Sequence, residues 1–264
     1  MTDLFSLAGR VALVTGGSRG IGRMIAEGFI SHGAKVYITA RKAEACFSAA
    51  AEMSAGGGTC IALPHDISTL EGVKVLAAEI AARENDRLDI LVNNAGAAWA
   101  AKFQETPESG WDKVVDLNMK TPFFLTEALF PALKAAASAD QPSKVINIAS
   151  IDGIALNPLE TYSYHASKAG LIHLTRRLAA TLVKDNVLVN AIAPGAFASE
   201  MNRAARDDAD FVASHIPSGR IGRSEDMASA AIYLAARSGN YVVGSTMVVD
   251  GGVALARVPD VALH

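Results

Sequence analysis

Residues 10–33 read as a strand, a glycine-rich turn and a helix in immediate succession. RVALVT (10–15) is a short unbroken apolar run, the pattern of a strand covered on both faces. GGSRGIG (16–22) follows it. RMIAEGFISH (23–32) then spaces apolar groups at helical period up to Gly33, where a helix would stop. In that context Gly16, Gly20 and Gly22 would let the backbone turn tightly and approach a diphosphate at the helix N-terminus. The spacing is G-x-x-x-G-x-G, and an ordinary glycine-rich turn is the competing reading.

The rest of the chain alternates in the same way. KVYITA (35–40), TCIALPHDIS (59–68), LDILVNNAG (88–96), SKVINIAS (143–150), VLVNAIAPG (187–195) and STMVVDGG (245–252) read as strands. Helical stretches lie between them: to about Met53, then 69–85, 107–137, 161–185 and 224–237. An irregular segment, 196–222, has the length of an active-site lid. The tail 256–264 carries no sharp signal. With 264 residues, half of them hydrophobic and 19% charged, the chain can bury a large core. No repeat, linker or low-complexity tract interrupts it, so one domain over 1–264 is expected. A net charge of −3 argues against nucleic acid or an anionic membrane as partner. Two cysteines, Cys46 and Cys60, make neither a disulfide framework nor a metal cluster and suit a reducing compartment. The first residues do not read as a signal peptide, and no run of 18 apolar residues occurs. A cytoplasmic protein without a metal is the expectation.

Several residues stand where chemistry could be done. Arg41 follows the second strand, where an acidic residue would suit the ribose diol of NADH. With Arg19 it favours the 2′-phosphate of NADPH, unless it only ends a strand in water. Asp66 could accept from an adenine amino group or cap the next helix, as could Ser68. Asn93 and Asn94 could pin the backbone or touch a cofactor. Trp99 could border a substrate or cover the core. Asn118 sits on an apolar stretch; it is either a satisfied core amide or a local break that holds a water, and Pro122 makes a kink plausible.

Ser150 falls at the carboxyl end of its strand, the ligand end of an open parallel sheet. Tyr164 and Lys168 are one helical turn apart and share a face. An ammonium beside a phenol lowers the phenol's ordinary pKa of about 10. Ser150 could then hold a carbonyl oxygen while Tyr164 protonates it.

Taken in order, TGGSRGIG (15–22), Asp66, NNAG (93–96), Asn118, Ser150, YHASK (164–168), PG (194–195) and VDGG (249–252) resemble the classical short-chain dehydrogenase/reductase family. The resemblance implies a Rossmann-like, doubly wound parallel sheet in a three-layer α/β/α domain. It implies Asn118, Ser150, Tyr164 and Lys168 as the catalytic set. It places the cofactor against Gly16, Ser18, Arg19, Gly20, Ile21 and Gly22 of the first turn, then Arg41, Asp66 and Ile67. Further contacts implied are Asn94, Ala95 and Gly96, Tyr164 and Lys168, and Pro194, Gly195 and Ser199. One feature departs from the pattern. Tyr164 lies fourteen positions after Ser150, one more than is usual, and Tyr162 is a second phenol nearby. Only Tyr164 has a lysine one turn on.

The chain looks closest to NADPH-dependent 3-oxoacyl (β-ketoacyl) reductases of the rhamnolipid-associated type. That similarity implies reduction of a ketone to a secondary alcohol, the ketone being a 3-oxoacyl thioester, carried on coenzyme A or acyl carrier protein, or a related medium-sized ketone, with NADPH preferred to NADH. The alternatives are reduction or oxidation of a free alcohol, sugar, steroid or xenobiotic ketone, and a non-catalytic NADP(H)-sensing protein. Arg203, Arg206, Arg220 and Arg223 could meet a carrier phosphate or form a solvated surface. A homotetramer through helices 107–137 and 161–185 and the last strand is implied as well, with a crossed dimer as the alternative.

Overall fold

The computed structural model describes residues 4–256. Of the tail 256–264, only Ala256 lies within them. Among the described residues seven strands are present: β1 Val11–Thr15, β2 Lys35–Thr39, β3 Thr59–Ala62, β4 Ile90–Asn93, β5 Ser143–Ile148, β6 Val187–Pro194 and β7 Thr246–Val249. All pair in parallel, in the order β3-β2-β1-β4-β5-β6-β7. The order reverses between β1 and β4, which opens the crevice of a doubly wound, Rossmann-like sheet at their carboxyl ends.

Two apolar layers enclose the sheet. On one face lie α1 (Gly20–Ser31), α2 (Ala43–Ser54) and α9 (Ser224–Ala235), which contribute Ile25, Phe29, Cys46, Met227 and Ile232. On the other lie α3 (Leu70–Arg83), α5 (Thr121–Ala136) and α6 (Tyr162–Leu182), with Leu76, Ile80, Leu125, Leu129 and Ala179. Strands buried on both faces have no polar side to offer, which is why their sequence reads as continuous apolar runs.

Some boundaries differ from the sequence expectation. β3 stops at Ala62, so Asp66 lies four residues beyond it. Neither Asp66 nor Ser68 caps α3; Thr69 does, its hydroxyl accepting from Gly72 N at 3.1 Å. Helix 107–137 is three pieces: α4 (Glu108–Val115), a π-helical turn at Asp116–Lys120 and α5. The break falls on Asn118. The segment 196–222 contains two short helices, α7 (Arg203–Asp207) and α8 (Ala209–Ala213). Its ends are pinned together where Gly222 N donates to the Ala196 carbonyl at 2.9 Å.

Candidate active site

At the switch point the glycine turn is clamped from β4. Thr15 Oγ1 accepts from both Asn94 N and Ala95 N at 2.9 Å. Asn94 Nδ2 donates to the Thr15 carbonyl at 2.8 Å. A Cβ on Gly22 would stand inside the contact distance of Asn94 Nδ2 and of the Gly16 carbonyl oxygen, and Gly16 has φ +65°. Glycine at both positions is therefore set by close approach and backbone sterics. Asn94 is the pin that holds the turn. Asn93 points elsewhere, its Nδ2 donating to Asn147 Oδ1 at 2.8 Å in a buried chain that joins β4 to β5.

The surroundings of this turn fit a dinucleotide. The first turn of α1 offers backbone N–H groups without partners of its own. Thr39 Oγ1, at the carboxyl end of β2, is buried and has no hydrogen-bond partner among the described residues. Arg19 and Arg41 are exposed, and among the described residues neither is in an ion pair. Asp66 Oδ1 accepts from Ser68 N at 3.0 Å and Ser68 Oγ at 2.7 Å. Burial pushes this carboxyl up, but those hydrogen bonds and the charge of Arg41 outweigh it, so the group lies below its ordinary pKa. Ile67 is buried and its carbonyl accepts from Thr121 Oγ1 at 3.0 Å.

A cavity of about 340 Å³ separates the start of α1 from the 196–222 segment, between Arg19 and Gly20 on one side and Ser199 and Glu200 on the other. Ser199 Oγ accepts from Asn202 N at 3.0 Å. Pro194 ends β6, and Gly195 N donates to the Val249 carbonyl at 2.9 Å. Ser18 and Ile21 flank the glycines on the same turn, and Gly96 lies beside Asn118 Oδ1. Of the segment's arginines, Arg206 pairs with Glu200 and Asp207, and Arg220 with Asp226 at 2.6 Å.

Next to this crevice, β5 delivers Ser150 and α6 delivers Tyr164 and Lys168. Ser150 Oγ accepts from Asp152 N at 3.1 Å and so caps a 3₁₀ turn, Ile151–Gly153. Lys168 is 4% exposed; its Nζ donates to the Ile148 carbonyl at 2.7 Å and lies 5.5 Å from the Tyr164 ring centroid. Burial pushes this lysine down to about 8, partly opposed by Asp152. The lowering expected of Tyr164 is absent. Burial pushes its phenol up to about 12; a hydrogen bond with Ser150 acts against that and Asp152 adds to it. One of the ammonium's donors goes to a backbone carbonyl, and desolvation of the phenolate dominates.

Tyr162 points outward. It is exposed, donates to Glu160 Oε1 at 2.7 Å and meets Phe103 edge-on. Trp99 covers α4, where a Cβ on Gly110 would come within 2.7 Å of its ring.

Asn118 is 1% exposed and fully engaged. Its Nδ2 donates to the Ala97 carbonyl at 2.9 Å and to Ser167 Oγ at 3.1 Å, while Oδ1 accepts from Ala97 N at 2.8 Å. Ser167 Oγ in turn donates to the Tyr164 carbonyl at 2.9 Å. Thr15 and Ser167 lie inside the TGGSRGIG and YHASK motifs without a role assigned to them there, and Asp152 lies outside the motifs. Thr15 had a signal, a hydroxyl at a strand end before glycine; the other two are visible only once α6 packs on its neighbours.

Known proteins are similar to this chain along most of its length. A family model described as Enoyl-(Acyl carrier protein) reductase matches residues 16–254. The rhamnolipids biosynthesis 3-oxoacyl-(acyl-carrier-protein) reductase of Pseudomonas aeruginosa is 48% identical over 255 residues, 96% of this chain and 99% of that protein. The gluconate 5-dehydrogenase of Gluconobacter oxydans is 33% identical over 257 residues, 96% of this chain and 98% of that protein. A solved Pseudomonas aeruginosa RhlG/NADP active-site complex superposes with a TM-score of 0.92 at 47% identity, covering 97% of this chain and 100% of that one. With its parallel sheet, its clamped glycine turn and these relatives, the chain belongs to the short-chain dehydrogenase/reductase family of NAD(P)-dependent oxidoreductases.

Proposed function

We propose that this protein uses NADPH to reduce the ketone of a 3-oxoacyl thioester, carried on acyl carrier protein or coenzyme A, to a secondary alcohol. The observation that carries the reading is the meeting of Ser150, Tyr164 and Lys168 at the carboxyl end of β5. Ile154, Leu156 and Leu159 follow Ser150, Met201 and Phe211 lie on the 196–222 segment, and all five are exposed, Leu156 by 92%. Exposed apolar side chains on these two segments suit an acyl chain better than a sugar acid. The likeness to the Pseudomonas reductase supports the same substrate class.

When bound, the nicotinamide supplies the hydride. The chain's residues do the rest. The glycine turn and the start of α1 hold the diphosphate, with Ser18, Ile21, Ala95, Gly96, Pro194 and Gly195 lining the crevice. Arg19 and Arg41 hold the 2′-phosphate, Asp66 and Ile67 border the adenine, and Ser199 reaches the carboxamide. Ser150 orients the carbonyl oxygen and Tyr164 gives it a proton. Lys168 holds the ribose and offsets the charge left on the phenol. The side chain of Asn118 fixes the Ala97 loop, so any relay water is held by the backbone at the π-turn.

The residues are read as one domain. Exposed Trp111 and Phe123 on α4 and α5, and Tyr241 before β7, support a homotetramer. Among the described residues no helix is long and apolar enough to cross a membrane, and we place the protein in the cytoplasm.

The test is NADPH oxidation with 3-oxoacyl thioesters of rising chain length against a sugar keto-acid. Longer apolar thioesters should be preferred. Tyr164→Phe should lose about 10²-fold or more in kcat while still binding NADPH, and Tyr162→Phe should keep most activity. Preference for the keto-acid would overturn the substrate; full turnover in the Tyr164 variant would overturn the mechanism.

A further inference from the structure

Behind the active site, buried polar side chains form a run of hydrogen bonds that the catalytic set does not use. Asn93, Thr126, Asn147 and Thr175 are each 4% exposed or less. Asn93 and Asn147 face each other in register on β4 and β5. Asn93 Nδ2 donates to Asn147 Oδ1 at 2.8 Å and to Thr126 Oγ1 at 3.2 Å. Asn147 Nδ2 donates to Thr175 Oγ1 at 2.9 Å. The run crosses from α5 through two strands to α6.

Its direction is fixed at both ends. Thr126 Oγ1 gives its one hydrogen to the Pro122 carbonyl at 2.7 Å, and Thr175 Oγ1 gives its own to the Leu171 carbonyl at 2.8 Å. Each hydroxyl is left to accept from the amide beside it, and flipping either amide would set like against like.

Two rungs therefore join β5 to α6. One is Asn147 to Thr175. The other is Lys168 Nζ to the carbonyl of Ile148, the next residue along β5, at 2.7 Å. Thr175 lies about two helical turns after Lys168 and about three after Tyr164, so all three share one stripe of α6. Ile172 and Ala179 pack the helix against its apolar neighbours, but apolar contact is non-directional and does not fix a height. The fit near the site is tight: a Cβ on Gly153 would come within 2.7 Å of Lys168 C. The lysine rung ends in the ammonium that the proposed reaction uses. The Asn147–Thr175 rung is neutral, so it stays made whatever the lysine does.

We infer that Asn147 and Thr175 are positioning residues: their contact sets the height of α6 along β5, and with it the placement of Tyr164 and Lys168 against Ser150. The inference rests on the reading of those three as the reacting set. Misplacing reacting groups by about 1 Å costs on the order of 10²-fold in rate, so a fraction of that shift is measurable.

The experiment follows hydride transfer in a single turnover, per NADPH bound, with a short 3-oxoacyl thioester. Unfolded protein binds no NADPH, so this rate does not fall through lost stability alone. Thr175→Val keeps the shape and removes the acceptor; its rate should drop roughly tenfold. Thr175→Ser keeps the hydroxyl and should recover the rate. Thr126→Val breaks the same run at α5 and should lower stability without lowering the rate. An unchanged rate in Thr175→Val, a Ser variant as slow as Val, or an equal loss in Thr126→Val would show a structural role only and overturn the proposal. Thr175→Cys, whose thiol is a weak acceptor, takes the place of the Val variant if that one does not fold. A second readout needs no turnover: amide exchange at residues 150–153 should speed up in Thr175→Val and not in Thr126→Val, and unchanged exchange overturns the proposal. A wild type that reduces no ketone would sink the proposed function, while the exchange would still judge the rung.

Discussion

Asn118 and Ala97 form a closed pair: the Asn118 amide donates to the Ala97 carbonyl at 2.9 Å and accepts from the Ala97 amide at 2.8 Å. This ties the π-turn to the loop that leaves β4, next to the glycine turn. Asn118→Ala would leave buried polar groups unpaired, at a cost of about 1–3 kcal/mol. Urea unfolding should show that loss, and amide exchange should speed up around residues 95–99. Wild-type exchange there would mean that the pair does not hold the loop.

Gly22→Ala places a methyl group against Asn94 Nδ2 and the Gly16 carbonyl. The clamp must open to admit it, at a cost of roughly 1–3 kcal/mol. NADPH affinity should fall together with stability, by fluorescence titration and denaturation. A stable variant with wild-type affinity would show that the turn is looser than it looks.

Arg41 and Arg19 are free to meet a 2′-phosphate. Arg41→Asp should weaken NADPH by roughly tenfold or more, since one charge-assisted contact is replaced by repulsion. NADH should be nearly unaffected. Equal losses for both cofactors would place Arg41 away from the 2′ position.

Lys144, in the middle layer of the sheet on β5, is 1% exposed and donates to Asn240 Oδ1 at 2.8 Å. Burial, and then the Arg10 charge, push it down to about 7 from an ordinary 10.5. Below pH 7 both folded and unfolded chains carry the proton, and the native state bears the full penalty. As pH rises from about 7 toward 10.5, the folded chain sheds the proton while the unfolded chain keeps it. The unfolded state then binds more protons, so stability rises with pH, on the order of 1 kcal/mol per unit. Lys144→Met should flatten this dependence and stabilise the protein most below pH 7. Denaturation midpoints across pH 6–10 would check it; an unchanged slope in the variant rejects the assignment.

Much of this was open to reading along the chain. RVALVT and VLVNAIAP are apolar without interruption because strands covered on both faces have nothing polar to show. Gly16, Ser150, Tyr164 and Lys168 stand out because turns and proton transfer need those residue types. Other features carry no local mark. SKVINIAS does not reveal that Asn147 will accept from Asn93 across two strands. The helical period of 107–137 hides the π-turn, since that break exists to seat Asn118 on Ala97.

The sequence by itself determined the alternation of strands and helices, the glycine turn and the spacing of Tyr164 to Lys168, because these follow from backbone sterics and periodicity over a few residues. Only the tertiary structure decided that Lys168 gives its proton contact to Ile148 and that Tyr164 is pushed upward. Those outcomes depend on desolvation and charge at distances set by how β5, its capped turn and α6 pack together, and no window of sequence contains that packing.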